Sequence, residues 1–193
     1  PAHTSVTLPK IIGDHMVLQQ GGNAVVWGKA DPAEAISVRL GEARAGTTAD
    51  AEGRWKLSIE TPPVGGPYEM TVSGKSDTIT VRDILVGETW VCSGQSNMEW
   101  PMRLTRDAEA EIAKANHPEL RLFIVAKKVS DEPLDDVEGS WAVCTPETVP
   151  DFSAVGYLFG RMLQGELKVP VGLIKCAWGG TPAEAWTDLA TLK

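Results

Sequence analysis

The sequence predicts a mixed fold: a small β-sandwich over roughly residues 5–82, then an α/β part built on a parallel sheet. Three observations carry this. Short alternating runs separated by Gly, Pro, Asp and Ser turns fill the first part. After Arg82-Asp83 the rhythm becomes strand, helix, strand, helix, strand, the pattern of parallel pairing. The last of these strands, Pro170-Val171-Gly172-Leu173-Ile174-Lys175-Cys176-Ala177, is nearly continuously apolar, as a strand covered on both faces must be.

Taken in order, Val6 to Pro9 and Met16 to Leu18 are short β-like pieces, and Ala24-Val25-Val26-Trp27-Gly28 is a clearer strand. Ile36 to Leu40 alternates strictly, so one face is buried. Gly41-Glu42 turns the chain into Ala43 to Thr48, and Asp50-Ala51-Glu52-Gly53 has the glycine that ends a type I turn. Trp55, Leu57 and Ile59 then point inward. Thr61 to Pro67 reads as a loop, and Tyr68 to Val72 pairs with Thr78 to Val81 as a hairpin. In the second part, Ile84 to Cys92 is apolar and ends at a polar turn. Thr105 to Ala115 is rich in helix formers, with Thr105 as its N-cap. Leu120 to Val125 is a strand, and Ser130 to Gly139 an acidic loop. Ser153 to Leu167 is a helix with Val155, Leu158, Phe159, Met162 and Leu163 on one face. Pro182 to Trp186 looks helical.

Composition excludes several classes. A chain of 193 residues can bury a core and suggests one or two domains. No run of about 18 apolar residues exists, so no membrane span is expected. A net charge of -8 with scattered basic residues argues against nucleic acid or an anionic membrane as partner. Cys92, Cys144 and Cys176 are far apart, with no C-x-x-C pair, so no metal site and no cofactor are expected. Buried free thiols suit Cys92 and Cys176; one disulfide plus one free thiol is the other arrangement.

Two junctions at the carboxyl ends of strands draw attention, because ligands of open α/β sheets sit there. The first is Gly94-Gln95-Ser96-Asn97-Met98, followed by Glu99-Trp100-Pro101 as a helix opening in which Pro101 suits the first turn. A serine on a strand-to-helix turn is held rigidly, with backbone N–H groups and a helix N-terminus beside it. That suits a nucleophile; the same residues also suit a plain turn. Met98 stands where a G-x-S-x-G elbow has its second glycine. The second junction, Trp178-Gly179-Gly180-Thr181, could aim a backbone N–H at an oxyanion or simply turn the chain.

Together, Val86-Gly87-Glu88-x-Trp90-x-Cys92-Ser93-Gly94-Gln95-Ser96-Asn97-Met98, Phe152-Ser153-Ala154-Val155 and Trp178-Gly179-Gly180-Thr181-Pro182-x-Glu184-Ala185-Trp186 resemble the sialate O-acetylesterase family. These are SGNH-type carbohydrate esterases, related to acetylxylan esterases. Asp14-His15-Met16-Val17-Leu18-Gln19 is similar to that family's Asp-x-Met-Val-Leu-Gln segment. The resemblance implies a β-sandwich domain over 1–82. It also implies, over 83–193, the N-terminal portion of a flavodoxin-like, three-layer α/β/α SGNH hydrolase domain. It implies Ser96 as nucleophile, with the Ser96 N–H and Gly180 as oxyanion donors. Gln95, Asn97, Gly179, Thr181 and Arg103 are candidates for substrate binding or support. The substrate would be an acetylated sugar, of sialic acid or xylan type. A secreted or periplasmic location follows from the resemblance and the missing initiator Met.

The family's Trp-Tyr-Gln-Gly-Glu and late Asp-x-x-His stretches do not occur here. A C-terminal segment or second chain is therefore expected to supply the Asp-His pair, and this chain alone to be inactive. Its histidines agree: His3 lies in the N-terminal arm, His15 in the β part, and His117 in an exposed loop at the amino end of its strand. Glu184 could brace the glycine pair or lie exposed. Trp100, Trp178 and Trp186 could form a sugar platform, with core packing expected for at least two. The other reading is a non-catalytic carbohydrate-binding module.

Overall fold

The computed structural model describes residues 5–130, 132–188 and 190–192. The first part holds β1 (Val17–Gln19), β2 (Asn23–Lys29), β3 (Ala35–Leu40), β4 (Ala43–Thr48), β5 (Arg54–Glu60) and β6 (Gly65–Ser73). β7 (Thr78–Gly94) is 17 residues long and joins both parts. Then come α1 (Ser96–Glu99), α2 (Ala108–Ile112), β8 (His117–Ile124), β9 (Trp141–Cys144), α3 (Ala154–Leu167) and β10 (Val171–Ala177). The sheet order is β4-β3-β6-β7-β10-β8-β9, with β1 also on β7; β2 and β5 pair separately. β7, β10 and β8 are parallel.

Period-two alternation set the strands of the first part. Trp55, Leu57 and Ile59 of β5 are buried, as are Ile36, Val38 and Leu40 of β3. With Val26, Met70, Val72, Val81 and Ile84 they form one core shared by the two sheets. Each such side chain contributes about 1.5–3 kcal/mol by leaving water. A second core gathers Cys92, Leu120, Leu122, Phe152, Tyr157, Val171 and Leu173. The division expected at 82/83 falls inside β7, which crosses it unbroken. There Asp83 accepts two bonds from the buried Arg121 of β8, at 2.6 and 3.2 Å, and one from His15 at 2.6 Å.

Several local expectations change. β6 begins at Gly65, inside the expected loop. The helix expected over Thr105–Ala115 shrinks to α2, preceded by a 3₁₀ turn, Met102–Leu104. Thr105 ends that turn, its hydroxyl donating to the Met102 carbonyl at 2.8 Å, and Asp107 stands before α2 at φ 57°. Helix-forming composition alone does not offset the cost of nucleation in so short a segment. Pro101 is extended rather than helical and bridges to Ser153. β9 carried no recognised signal.

α3 forms where expected, with the Ser153 hydroxyl accepting the Gly156 N–H at 3.0 Å. Its buried face differs. Ala154, Gly156, Tyr157 and Gly160 face the core, while Val155, Leu158 and Met162 are exposed, Met162 by 65%. The helix lies so close to β10 that a Cβ on Gly160 would stand 2.6 Å from Leu173. Small residues allow that approach, so the large apolar ones turn outward. Phe159 and Leu163 do pack against the second core. Among the described residues the helices gather on this side of the parallel strands. Phe123 and Trp141 on the other side join the core of the β part instead. A helical layer on both faces is therefore absent among the described residues. All three cysteines are free thiols, Cys92 and Cys144 buried.

Candidate active site

Parallel pairing brings the two suspected junctions together. Ala177, the last residue of β10, is in register with Gly94, the last of β7, and the Trp178 N–H donates to the Gly94 carbonyl at 2.9 Å. Gly94 has φ 138°, a conformation side chains rarely tolerate, which permits the bend into α1. Ser96 is the exposed first residue of α1, and its hydroxyl meets Gln95 Oε1 at 3.4 Å.

Glu99, one turn along α1, ties the junctions. One carboxylate oxygen accepts the Gly179 N–H at 2.5 Å, and the other pairs with Lys127 from the loop after β8. The Lys127 ammonium lies 5.4 Å over the Trp178 ring. Lys127, and then the Gly179 N–H, hold the Glu99 carboxyl below the usual range. A Cβ on Gly179 would stand 2.5 Å from Glu99 Oε2 and 3.7 Å from Ser96 Oγ, so Gly179 is packed between them. Gly180, at φ +80°, has open space where a Cβ would be. Its N–H has no partner among the described residues, whereas that of Gly179 is taken. Thr181 locks the turn: its hydroxyl donates to the Trp178 carbonyl at 2.7 Å and accepts the Trp186 indole N–H at 2.8 Å.

Behind this layer Lys175 of β10 is buried and donates to the Asp151 carbonyl at 3.0 Å, with burial lowering its pKa. The Asp151 carboxylate pairs with Arg103 at 2.6 Å, an exposed pair of the kind worth about 0–1 kcal/mol. Asn97 is exposed, and nothing among the described residues bonds its side chain. Glu184 is exposed; Glu99 braces the glycine pair instead. Core packing was expected for two of three tryptophans, yet Trp100 is 51% and Trp186 40% exposed, and Trp178 is half-buried.

Neither described histidine bonds Ser96. His15 is held by Asp83. His117 is half-buried in β8 rather than exposed in a loop, with Nε2 3.4 Å from the Tyr157 hydroxyl. It starts a strand parallel to β10 and so lies at the opposite end of the sheet from Ser96. His3 lies outside the described residues. No group of three His, Cys, Asp or Glu among the described residues could hold a metal ion.

The sequence profile of the family described as carbohydrate esterase, sialic acid-specific acetylesterase, matches residues 86–192. The chain belongs to this family. The match begins in β7 and contains Ser96, Glu99 and both glycines. Sialate O-acetylesterases of Mus musculus and Homo sapiens are each 33% identical over 94% of the chain, and that of Pongo abelii is 34% identical. The chain spans only 37–39% of the length of these relatives. The crystal structure of a carbohydrate acetylesterase from Xanthomonas citri is 40% identical and superposes with a TM-score of 0.94, covering 97% of this chain and 44% of that one.

Within the matched region, sequence reading missed Glu99, Lys127 and Lys175. Glu99 carried no local signal, because its partners Gly179 and Lys127 are distant in sequence. Nothing local pointed to the two lysines. They meet the site only because β8 and β10 are neighbours.

Proposed function

We propose that the full-length protein is a serine esterase that removes O-acetyl groups from acetylated carbohydrates, through an acyl-enzyme on Ser96. The observation that carries this is the meeting of the Ser96 turn and the glycine pair at one carboxyl edge, joined by Glu99. The Ser96 hydroxyl attacks the acetyl carbonyl, its proton passing to a base. The carbonyl oxygen becomes an oxyanion facing the Ser96 and Gly180 N–H groups, which stabilise it more than the neutral ester. The sugar alkoxide leaves with a proton, and water then releases acetate. Gln95 steadies the hydroxyl, Gly179 and Thr181 set the loop, and Asn97 and Arg103 border the substrate.

Neither described histidine reaches Ser96, which supports a base supplied from outside these residues, and the resemblance makes that base an Asp-His pair. The two cores support a β-sandwich followed by part of an SGNH hydrolase domain, with β7 common to both. The names of the relatives support O-acetylated sialic acid and other acetylated carbohydrates as substrates, xylan-type esters resting on the resemblance alone, and an extracytoplasmic enzyme fits such substrates. No helix among the described residues is long and apolar enough to cross a membrane. A module that only binds carbohydrate would not need a serine beside an unpaired loop N–H.

The test is to treat the full-length protein with a fluorophosphonate probe and map the labelled peptide. Label on Ser96 together with acetate release from acetylated sugars is the expected result. Label elsewhere with acetate release intact would overturn the assignment of Ser96.

A further inference from the structure

A carboxylate one turn from a nucleophile opposes the reaction proposed for this site. A Cβ on Gly179 would stand 2.5 Å from Glu99 Oε2 and 3.7 Å from Ser96 Oγ. Laid end to end, those two distances keep the carboxylate oxygen within about 6.2 Å of the hydroxyl. Attack on an ester puts negative charge on the carbonyl oxygen beside Ser96. An uncompensated Glu99 would repel that charge, because two charges so close are only weakly screened in a partly buried site. Yet Glu99 is needed, since it holds the Gly179 N–H. A cation on Glu99 resolves the conflict.

The charged groups that act on Glu99 are Lys127, from the loop after β8, and Lys175 of β10. Lys175 acts at longer range, with its ammonium donating to the Asp151 carbonyl at 3.0 Å. Behind it the Asp151 carboxylate is taken by Arg103 at 2.6 Å. Lys127 is the direct partner. It pairs with Glu99 Oε1, the oxygen that the Gly179 N–H leaves free.

Most surface lysines are too mobile to hold one geometry, and their ion pairs add little. Lys127 differs because its root is fixed. The Val125 N–H donates to the Lys175 carbonyl at 2.9 Å, and the Ala126 N–H to the Glu138 carbonyl at 2.8 Å. The ammonium also lies 5.4 Å over the Trp178 ring. One side chain thus touches both junctions, Glu99 of α1 and the residue that opens the glycine loop. Lys128, the next residue, is exposed.

We propose that Lys127 is a positioning residue: its ammonium cancels the Glu99 charge beside the oxyanion and, through Glu99 and Trp178, holds the glycine loop against α1. This rests on the esterase reading of the site. The experiment compares Lys127→Met, Lys127→Arg, Glu99→Gln and the double variant Lys127→Met with Glu99→Gln in the full-length protein, and uses Lys128→Met as control. Acetate release gives kcat and KM. NMR of isotope-labelled glutamate carboxyls follows the titration of Glu99 and needs no turnover. Lys127→Met should lower kcat by about tenfold and change KM by less than about twofold, because the charge acts on the transition state. Lys127→Arg should recover most of the lost rate, and Lys128→Met should match the wild type. The double variant has no anion left to cancel, so its kcat should equal that of Glu99→Gln to within about twofold. A lysine that only props the loop would instead multiply the two losses. In Lys127→Met the Glu99 carboxyl should titrate at higher pH than in the wild type, its direct cation being gone. An unchanged kcat in Lys127→Met, multiplied losses in the double variant, or an unmoved Glu99 titration would overturn the proposal. A wild type that releases no acetate, with the Glu99 titration moving as expected, would overturn the esterase reading and leave the coupling of Lys127 to Glu99 standing.

Discussion

At the amino end of β8 the polar groups are closed on one another; at the carboxyl ends of β7 and β10 they are left open. The fully buried Tyr157 donates its hydroxyl to Glu111 at 3.1 Å and touches His117. Arg161 pairs with the same Glu111 and stacks 5.6 Å from the Tyr157 ring. Burial pushes the Tyr157 hydroxyl up to about 12. At the other end Ser96 is exposed, its hydroxyl meets only Gln95 among the described residues, at 3.4 Å, and a Cβ on Gly179 would stand 3.7 Å from it. Both ends hold groups that hydrolases use. The difference teaches that chemistry belongs where donors are fixed but unspent, whereas a saturated network holds the fold together.

The sharpest way to break this comparison is at Ser96. In the full-length enzyme Ser96→Ala should lower acetate release by at least about a thousandfold, because the covalent step is lost. Its melting temperature should stay that of the wild type; acetate release near the wild-type rate would remove the open end from the chemistry.

The next largest effect is expected at Gly179, where any side chain meets Glu99 Oε2 at 2.5 Å. Gly179→Val should push the loop away from α1 and lower kcat by about a hundredfold, the scale of losing an oxyanion donor. KM should change far less. An unchanged kcat would show that the glycine pair does not act on the oxyanion.

Glu99→Gln sharpens the comparison further, since it leaves the shape and removes the charge. A kcat lower by about tenfold is expected, from a loop held by a neutral rather than a charge-assisted bond. The pH dependence has a definite sign. Glu99 has its folded pKa lowered by Lys127 and the Gly179 N–H. Its contribution to stability is therefore fully present above the ordinary glutamate pKa of about 4.3. That contribution disappears as pH falls through the lowered folded value. The melting-temperature gap between wild type and Glu99→Gln should be constant above about pH 5 and narrow in more acid solution. A gap that widens on acidification would contradict the ion pair.

The smallest effect belongs to the closed end. His117→Phe should cost about 1 kcal/mol, a melting point lower by about 2–4 °C, from one lost hydrogen bond. Acetate release should be unchanged. A fall of tenfold or more with the fold intact would make His117 part of the chemistry and overturn the contrast between the two ends.

How much was legible follows from how local each signal is. Alternation in Ile36–Leu40 and Arg54–Ile59 is a period-two pattern, and those strands lie where it put them. α3 lies within the expected stretch from Ser153 to Leu167, and the structure adds that the Ser153 hydroxyl caps it. The face of α3 was read wrongly because size was taken for burial. Close approach to Leu173 selects Gly160 and close approach to Cys92 selects Gly156 instead, and those distances are a property of the sheet beneath. The unbroken run of β7 was hidden by the change of rhythm after Arg82-Asp83; in the structure Arg121 holds Asp83 within the strand.

By itself the sequence determined the strand and turn pattern, the serine between an apolar strand and a short helix, and the glycine pair after the last strand. These depend on neighbours along the chain, through backbone freedom and alternation. Only the tertiary structure decided that β10 lies beside β7, so that the two junctions meet, and that Glu99 rather than Glu184 holds the glycine pair. Glu99 and Gly179 are 80 residues apart, and their hydrogen bond exists because β10 lies beside β7. Strand order arises from the burial of whole faces against two cores, and no local pattern encodes it.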